Sequence, residues 1–221
     1  IEKLRTAESI GDEAFTHILR YLKPGITERE VALALQYYMK KNGAEGLSFD
    51  TIAASGRNSS MPHAIPTDKK LEDGDFLTMD FGCLYEGYCS DMTRTVAIGH
   101  ASDSMRTVYE TVLMAQTESM KMIKAGVPCN EVDAVARRII ADKGYGNCFG
   151  HGLGHSVGLF IHENPRFSPK CTDVLKTGMV ITVEPGIYLP GQFGVRIEDL
   201  VAVTENGFVN LTHSEKKLIV I

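Results

Sequence analysis

The strongest constraint on the fold is a repeat inside the chain. The stretch Leu22–Val31 is echoed by Ile123–Val132, and Leu71–Gly82 is echoed by Leu175–Gly186, at an offset of 101 to 104 residues. A period of this length is far longer than that of a solenoid repeat. The sequence therefore predicts two similar halves rather than a stack of short units.

Each half has the pattern of two helices followed by strands. Helical spacing of apolar residues covers 7–22, and a second helix opens at Thr27, where Glu30 completes a capping box. In the second half a long helix is predicted over 103–124, followed by one that ends near Gly144. Helices followed by antiparallel strands predict an α+β fold. We expect one curved sheet from both halves, with the helices on its outer face.

Composition limits the domain count and the partners. The 221 residues, 43% of them hydrophobic, suffice for one core, so the halves, about 1–101 and 102–221, are expected to form a single domain. A net charge of −5 without a basic patch argues against nucleic acid or an anionic membrane as partner, and no apolar run is long enough to span a bilayer. Five cysteines without a C-x-x-C pair indicate reduced thiols in a cytoplasmic protein. Because the chain begins at Ile1 rather than at Met, we expect a fragment from which a preceding domain is absent.

Two carboxylates stand in the β-prone stretch Thr78–Thr95. Gly82 and Gly87 interrupt it, which predicts two paired strands joined by a loop, with Asp80 and Asp91 close in space. Two bare carboxylates a few Å apart repel each other unless a cation lies between them. The alternative is a pair of turn aspartates near a sheet edge.

The second half supplies further carboxylates. The repeat aligns Asp80 with Glu184, which predicts a site between the halves, near the pseudo-symmetry axis. On a strand predicted over 194–203, Arg196 and Glu198 share one face by the two-residue period. An inward Arg-x-Glu among apolar residues costs free energy unless it is paired. An edge-strand salt bridge is the alternative.

Histidines accompany these carboxylates. The glycine-rich stretch Phe149–Gly158 holds His151 and His155, whose spacing resembles a helical metal-binding pair. Its glycines make a helix improbable and predict a loop or strand through which backbone can approach a site. His63 lies in a loop-rich stretch, and His162 follows seven residues after His155. For each of them a structural role is the alternative.

Four carboxylates and one imidazole match a dinuclear metal site. Their charge of −4 balances two divalent cations, which such sites hold about 3.5–4 Å apart. Oxygen-rich ligation with a single imidazole suits Mn²⁺ better than a thiolate zinc site would, although Co²⁺, Zn²⁺ and Fe²⁺ also fit.

These motifs, in this order, resemble the "pita-bread" metallopeptidases, which include methionine aminopeptidases, Xaa-Pro aminopeptidases and Xaa-Pro dipeptidases (prolidases). The matching segments are Met-Asp-Phe-Gly, Ser-Asp-Met-Thr-Arg, His-Gly-Leu-Gly-His, Val-Glu-Pro-Gly and Arg-Ile-Glu-Asp, and the resemblance covers essentially the whole chain. It implies the pita-bread fold and five metal ligands: Asp80, Asp91, His155, Glu184 and Glu198.

The resemblance also implies accessory roles. His63 matches a histidine that stabilises the tetrahedral intermediate or shuttles protons, and His162 matches one that contacts substrate around the scissile bond. His151 matches a histidine behind the metals or on the product side. Arg196 is similar to an arginine that positions the catalytic carboxylate, and Glu184 is the implied general base.

Within the family, Val-Glu-Pro-Gly-Ile-Tyr and Val-Arg-Ile-Glu-Asp resemble the Xaa-Pro branch, because methionine aminopeptidases usually have Gln-x-Glu-His where this chain has Arg-Ile-Glu-Asp. The resemblance therefore implies an Xaa-Pro aminopeptidase that acts on peptides with proline at the second position, and a homodimer is among the assemblies it allows. The alternatives are an Xaa-Pro dipeptidase and a catalytically idle binding module on the same fold. A calcium-stabilised structural domain is disfavoured because the chain lacks the spaced acidic loop of such sites.

Overall fold

Two helices open each half of the chain, as the repeat predicts. The computed structural model describes residues 1–221. The helices are α1 (Glu2–Ile18), α2 (Glu28–Lys41), α3 (Asp103–Met120) and α4 (Cys129–Asp142). The range 7–22 predicted for α1 is wrong at both ends, because the buried stripe already starts at Leu4 and the chain turns after Ile18. None of the four helices is both long enough and apolar enough to cross a membrane.

The start of α2 follows from its local sequence. Thr27 is the N-cap, and its Oγ1 accepts a hydrogen bond from the Glu30 amide at 3.1 Å. The Glu30 carboxylate accepts in return from the Thr27 amide at 2.7 Å. This reciprocal pair satisfies two amides that have no partner inside the helix. The predicted capping box is confirmed.

Thirteen strands follow the helices of the two halves. They are β1 (Gly46–Leu47), β2 (Ile52–Ser55), β3 (Phe76–Phe81), β4 (Cys83–Tyr85), β5 (Tyr88–Cys89), β6 (Met92–Ala97), β7 (Gly154–Ser156), β8 (Glu163–Phe167), β9 (Val180–Val183), β10 (Gly186–Leu189), β11 (Phe193–Arg196), β12 (Asp199–Val203) and β13 (Phe208–Asn210). Every ladder between them is antiparallel.

The strands divide into four sheets, so the prediction of one continuous sheet is wrong in detail. The first half has the order β2-β3-β6, and the second has β13-β12-β9-β7-β8. The strands β10 and β11 form a hairpin, and β1, β4 and β5 form a small separate sheet. The halves meet where the Glu198 amide donates to Thr93 O at 3.1 Å and Thr95 Oγ1 donates to Arg196 O at 2.9 Å.

The single strand predicted over 194–203 is also wrong. The chain leaves the β10–β11 hairpin after Arg196 and joins β9 from Asp199 onwards. Ile197 and Glu198 lie between the two strands, and the Glu198 amide bonds to the first half instead. The change of partner strand places Glu198 at the junction of the two halves.

The apolar residues form one main core for each half. A cluster of 20 buried residues packs α1 and α2 against the sheet of the first half, and a cluster of 24 packs α3 and α4 against strands of the second half. Phe76 and Ala97, from the first half, belong to the second cluster and join the two. The two cores therefore meet at β3 and β6.

Candidate functional site

A cavity of about 820 Å³ opens between the two halves. Its lining includes every residue that the sequence analysis assigned to the site. These residues are Asp80, Asp91, Glu184, Glu198, His63, His151, His155, His162 and Arg196.

The strand ladders bring the four carboxylates together in two pairs. Asp80 lies near the end of β3 and Asp91 directly before β6, and these strands are paired through Phe81 and Met92. Glu184 directly follows β9 and Glu198 directly precedes β12, and those strands are also paired. Each half therefore contributes two carboxylates from neighbouring strand ends, and the pair that the repeat aligns, Asp80 and Glu184, supplies one of them in each half.

Two glycines allow the close approach of these segments. A Cβ at Gly82 would lie 1.9 Å from Ser90 O, so only glycine lets the chain after Asp80 pass the segment that carries Asp91. A Cβ at Gly154 would lie 2.0 Å from Thr182 O. The absence of a side chain there lets β7 place His155 against β9.

Three of the ligand candidates lie especially close together. One ligand atom from each of Asp91, His155 and Glu198 lies within 4.8 Å of the others. His155 Nε2 is 3.4 Å from Asp91 Oδ2 and 3.4 Å from Glu184 Oε1. Because His155 Nδ1 lies 3.2 Å from Ser156 O, we place the ring proton on Nδ1, which leaves Nε2 as a donor to a cation. Burial lowers the pKa of His155 to about 4, so the ring is neutral.

The carboxylates destabilise one another in the absence of a cation. Burial, and then the charges of neighbouring carboxylates, raise the pKa of Asp91 and of Glu198 well above the ordinary value. Burial is also the largest cause that raises the pKa of Glu184 to about 7. Divalent cations between these groups would replace repulsion by attraction.

Asp80 presents an oxygen without a partner. Its Oδ2 accepts from Arg196 Nη2 at 2.7 Å, whereas its Oδ1 is buried and has no hydrogen bond. An unsatisfied buried oxygen costs free energy unless a ligand supplies the missing interaction. The orphaned oxygen and the mixed carboxylate and imidazole donors therefore fit divalent metal ions.

The sequence profile of metallopeptidase family M24 matches residues 2–205. The chain belongs to metallopeptidase family M24. The metallopeptidase resemblance and the pita-bread α+β fold expected from the sequence are thereby confirmed.

Individual relatives are similar over the whole length of this M24 chain. An Xaa-Pro dipeptidase of Pyrococcus furiosus is 48% identical over 219 residues, which are 99% of this chain and 63% of the relative. The structure of an Xaa-Pro dipeptidase from Bacillus anthracis superposes with a TM-score of 0.98 at 49% identity, over 100% of this chain and 62% of that one. An X-Pro aminopeptidase from Thermotoga maritima gives a TM-score of 0.97 at 46% identity, over 100% and 62%. The chain thus spans less than two thirds of these relatives.

Arg196 joins several site residues of this M24 domain through Tyr188, which the sequence analysis did not assign. Arg196 Nη1 donates to Tyr188 Oη at 2.8 Å, and Tyr188 Oη lies 2.8 Å from His151 Nε2. The other ring nitrogen of His151 lies 2.8 Å from Gly152 O, so its proton is on Nδ1 and the tyrosine donates to Nε2. Arg196 also donates to Asp80 Oδ2, so it joins Tyr188 and His151 to one of the candidate ligand carboxylates.

Glu198 is held from behind by residues of β6. Thr93 Oγ1 donates to Glu198 Oε2 at 2.6 Å, and Arg94 Nη1 donates to Glu198 O at 2.5 Å. The Arg94 guanidinium is fully buried and pairs with Asp199 at 2.8 Å. Arg94 lies in the Ser-Asp-Met-Thr-Arg motif, but only the fold shows which groups it contacts.

Arg166 is the most informative residue that sequence reasoning missed. It lies on β8 directly opposite His155 and lines the same cavity. Its guanidinium makes no ion pair and no hydrogen bond with the protein. The two-residue period from His162 does not predict this place, because the pairing of β7 with β8 shifts register between His155 and Ser156.

The two remaining histidines border open space. His63 is exposed on the loop between β2 and β3, and His162 is exposed just before β8. The His162 ring stands edge-on to His155, with centroids 4.5 Å apart. Both rings face the cavity and are accessible to a peptide bound there.

Proposed function

We propose that this M24 domain is the catalytic part of an Xaa-Pro dipeptidase. The sequence analysis gave Xaa-Pro aminopeptidase as its main interpretation and the dipeptidase as the alternative. The relatives named as Xaa-Pro dipeptidases support the alternative better. The proposed substrate is a dipeptide with proline at its second position.

The observation that carries this proposal is the unpaired guanidinium of Arg166 in the cavity. A dipeptide differs from a longer peptide in having a free carboxylate on the residue after the scissile bond. A cation favours recognition of that carboxylate, and arginine is well suited to it because its guanidinium can bind both oxygens. Arg166 on β8 is the direct cross-strand partner of His155 on β7, so its charge is close to the proposed metal ligands.

The proposed ligands of two divalent cations are Asp80, Asp91, His155, Glu184 and Glu198. The chemistry supplied by bound cations is a lower pKa of water and a polarised scissile carbonyl. Mn²⁺ stays the predicted ion, and a homodimer stays a predicted assembly.

Proton transfer falls to Glu184 in this proposal. Its Oε1 accepts from Thr182 Oγ1 at 3.0 Å, which leaves Oε2 to take a proton from water. In the absence of a cation, burial raises the pKa of this carboxyl to about 7, and bound cations would lower it and keep the group ionised to accept a proton. The same group would return the proton to the proline nitrogen, which is a poor leaving group until protonated.

Histidines on both sides of the cavity complete the proposal. His63 donates to the developing oxyanion, and His162 orients the substrate at the scissile bond. Both are accessible in the cavity. Both ring nitrogens of His151, in contrast, are hydrogen-bonded to Tyr188 and Gly152, so its proposed role is to hold these residues in place. This arrangement is the reason for assigning His63 and His162 to the substrate.

The test compares a dipeptide with its amide. With Mn²⁺ added, wild-type protein and Arg166→Met are assayed on Ala-Pro, on Ala-Pro-amide and on Ala-Pro-Ala. Since a hydrogen bond to a charged group contributes about 1.5–3 kcal/mol, the variant is expected to lose about 10- to 150-fold in kcat/KM on the dipeptide only. Arg29→Met is the matched control, because Arg29 also lines the cavity but pairs with Asp68 at 3.1 Å.

Three results would contradict the proposal. Wild-type cleavage of Ala-Pro-Ala without cleavage of Ala-Pro supports the aminopeptidase, which the similarity to the Thermotoga maritima enzyme favours. If Arg166→Met loses equal kcat/KM on the dipeptide and on its amide, Arg166 does not recognise the free carboxylate. Absence of hydrolysis together with absence of bound cations supports the idle binding module.

A further inference from the structure

The loop that carries His63 is closed by one buried carboxylate on a helix. Glu28, in the first turn of α2, has no solvent-exposed surface. No Lys, Arg or His lies within ion-pair distance of it, so hydrogen bonds and the N-terminus of α2 stabilise its charge without a counter-ion. A buried charge without a counter-ion is retained only where donors surround it.

Glu28 binds both ends of the loop. At the start of the loop, Ser55 donates to its Oε1 from the amide at 2.6 Å and from Oγ at 2.9 Å. At the other end, Thr67 donates to its Oε2 from the amide at 3.0 Å and from Oγ1 at 2.6 Å. Asn58 Nδ2 donates to both oxygens, at 3.0 and 3.1 Å. Five donor groups thus converge on one carboxylate.

The segment around His63 is partly open to solvent. Met61 and Ile65, which flank His63 at a distance of two residues, are 51% and 81% exposed. The site side is held by Arg196 Nη1, which donates to Pro62 O at 3.2 Å. The turn at residues 56–60 is also hydrogen-bonded to the β10–β11 hairpin. The position of His63 therefore depends on these contacts and on how firmly the base of the loop is closed.

The second half uses a comparable device. On α4, Asp133 Oδ1 accepts from the Leu153 amide at 3.0 Å, and Arg137, which pairs with Asp133, donates to His151 O at 2.9 Å. The loop before His155 is thereby fastened to the second helix of its own half. Both histidine-bearing segments are held by a buried carboxylate on the second helix, although the two acids occupy different turns.

From this geometry we propose that Glu28 is a positioning residue for catalysis, acting through His63. Closing residues 55–67 at the base fixes the direction in which His63 enters the cavity. Glutamine at position 28 would keep the shape but replace one acceptor oxygen by an NH₂ group, which would face the donors of Ser55 or Thr67. A shift of about 1 Å at a catalytic group can cost about 100-fold in rate.

The test is a double-mutant cycle, and it rests on the proposed function. Glu28→Gln is expected to lower kcat/KM about 10- to 100-fold in the wild-type background. In a His63→Ala background, Glu28→Gln is expected to change kcat/KM by no more than about twofold, because the side chain that Glu28 positions is absent. In an Arg166→Met background the full loss is expected. Glu30→Gln, two residues along the same helix turn and exposed, is the matched control with no expected loss.

Hydrogen exchange separates loop closure from activity. Glu28→Gln is expected to speed amide exchange in residues 55–67, and Glu30→Gln to leave it unchanged. Thr67→Val, which removes only one hydroxyl donor, is the gentler variant if Glu28→Gln does not fold. An equal loss of activity with and without His63, or unchanged exchange, overturns the proposal. If the wild-type protein hydrolyses none of the three peptides, the proposed function and the catalytic role fail together, and exchange alone decides whether Glu28 closes the loop.

Discussion

Arg94→Met should destabilise the whole domain, because this side chain joins the two halves behind the site. The guanidinium of Arg94 is 1% exposed and pairs with Asp199 at 2.8 Å. It also donates to four backbone carbonyls: Thr93 O, Glu198 O, Ser214 O and Glu215 O. Methionine keeps most of the stem but removes the guanidinium donors from all of these acceptors, of which Thr93 O keeps the Glu198 amide.

The expected magnitude follows from these contacts. Removing one partner of a buried ion pair costs about 3–5 kcal/mol. Asp199 keeps Lys216 at 2.6 Å, so its charge retains one cation and the lower end, about 3 kcal/mol, is expected. For a domain of this size that corresponds to a fall in Tm of roughly 6–12 °C. Arg5→Met, which breaks an exposed pair with Glu2, should cost under about 1 kcal/mol.

Calorimetry in the presence of a chelator measures this difference without a contribution from metal. Asp199→Asn and the double variant complete a cycle, in which the two losses should be strongly non-additive because the side chains are in contact. A Tm for Arg94→Met within about 2 °C of the wild type, at a domain of this size, would refute the reasoning. Fully additive losses would show that the pair is not coupled.

Two further predictions concern the cavity itself. Tyr188→Phe removes the hydroxyl that lies between Arg196 and His151. The free energy of unfolding, measured by urea titration, should fall by about 1–3 kcal/mol. An unchanged value would exclude a stabilising role for these two hydrogen bonds. Burial raises the pKa of Glu184 to about 7 and also raises the pKa of Glu198. These groups therefore stabilise the metal-free fold most at a pH below their pKa in the unfolded chain, which is about 4. Their contribution to the free energy of unfolding is lost as the pH rises through their pKa values in the folded protein. The Tm in chelator should therefore fall between pH 5 and 8 and do so far less with Mn²⁺, whereas parallel pH profiles would contradict the cation site.

Local signals account for what the sequence predicted well. The capping box at Thr27 depends on residues three apart, and the helix order follows from apolar periodicity. The carboxylates Asp80 and Glu184 were located because the repeat aligned them at equivalent strand ends. Such inferences need only neighbouring residues or a comparison of one half with the other.

Contacts between distant segments account for what it missed. Arg94 and Glu198 are 104 residues apart, and Arg166 became informative only because β8 is paired with β7 in the observed register. The sequence analysis did not single out Glu28, whose place in the first turn of α2 is common for an acid because helix N-termini favour negative charge. Its second role depends on Thr67, 39 residues away. Sequence spacing does not encode such pairs.

The sequence by itself determined the family, the two-fold plan of the chain and the residue types available to the site. Charge, periodicity and motif order are properties of the chain alone, so they could be read before folding was considered. Only the tertiary structure decided that Asp80 leaves one oxygen free, that Arg166 is unpaired in the cavity and that Glu28 closes the loop of His63. The reason is physical: hydrogen bonds and burial are fixed by strand register and by the way the two halves meet, and both emerge only when the whole chain is packed.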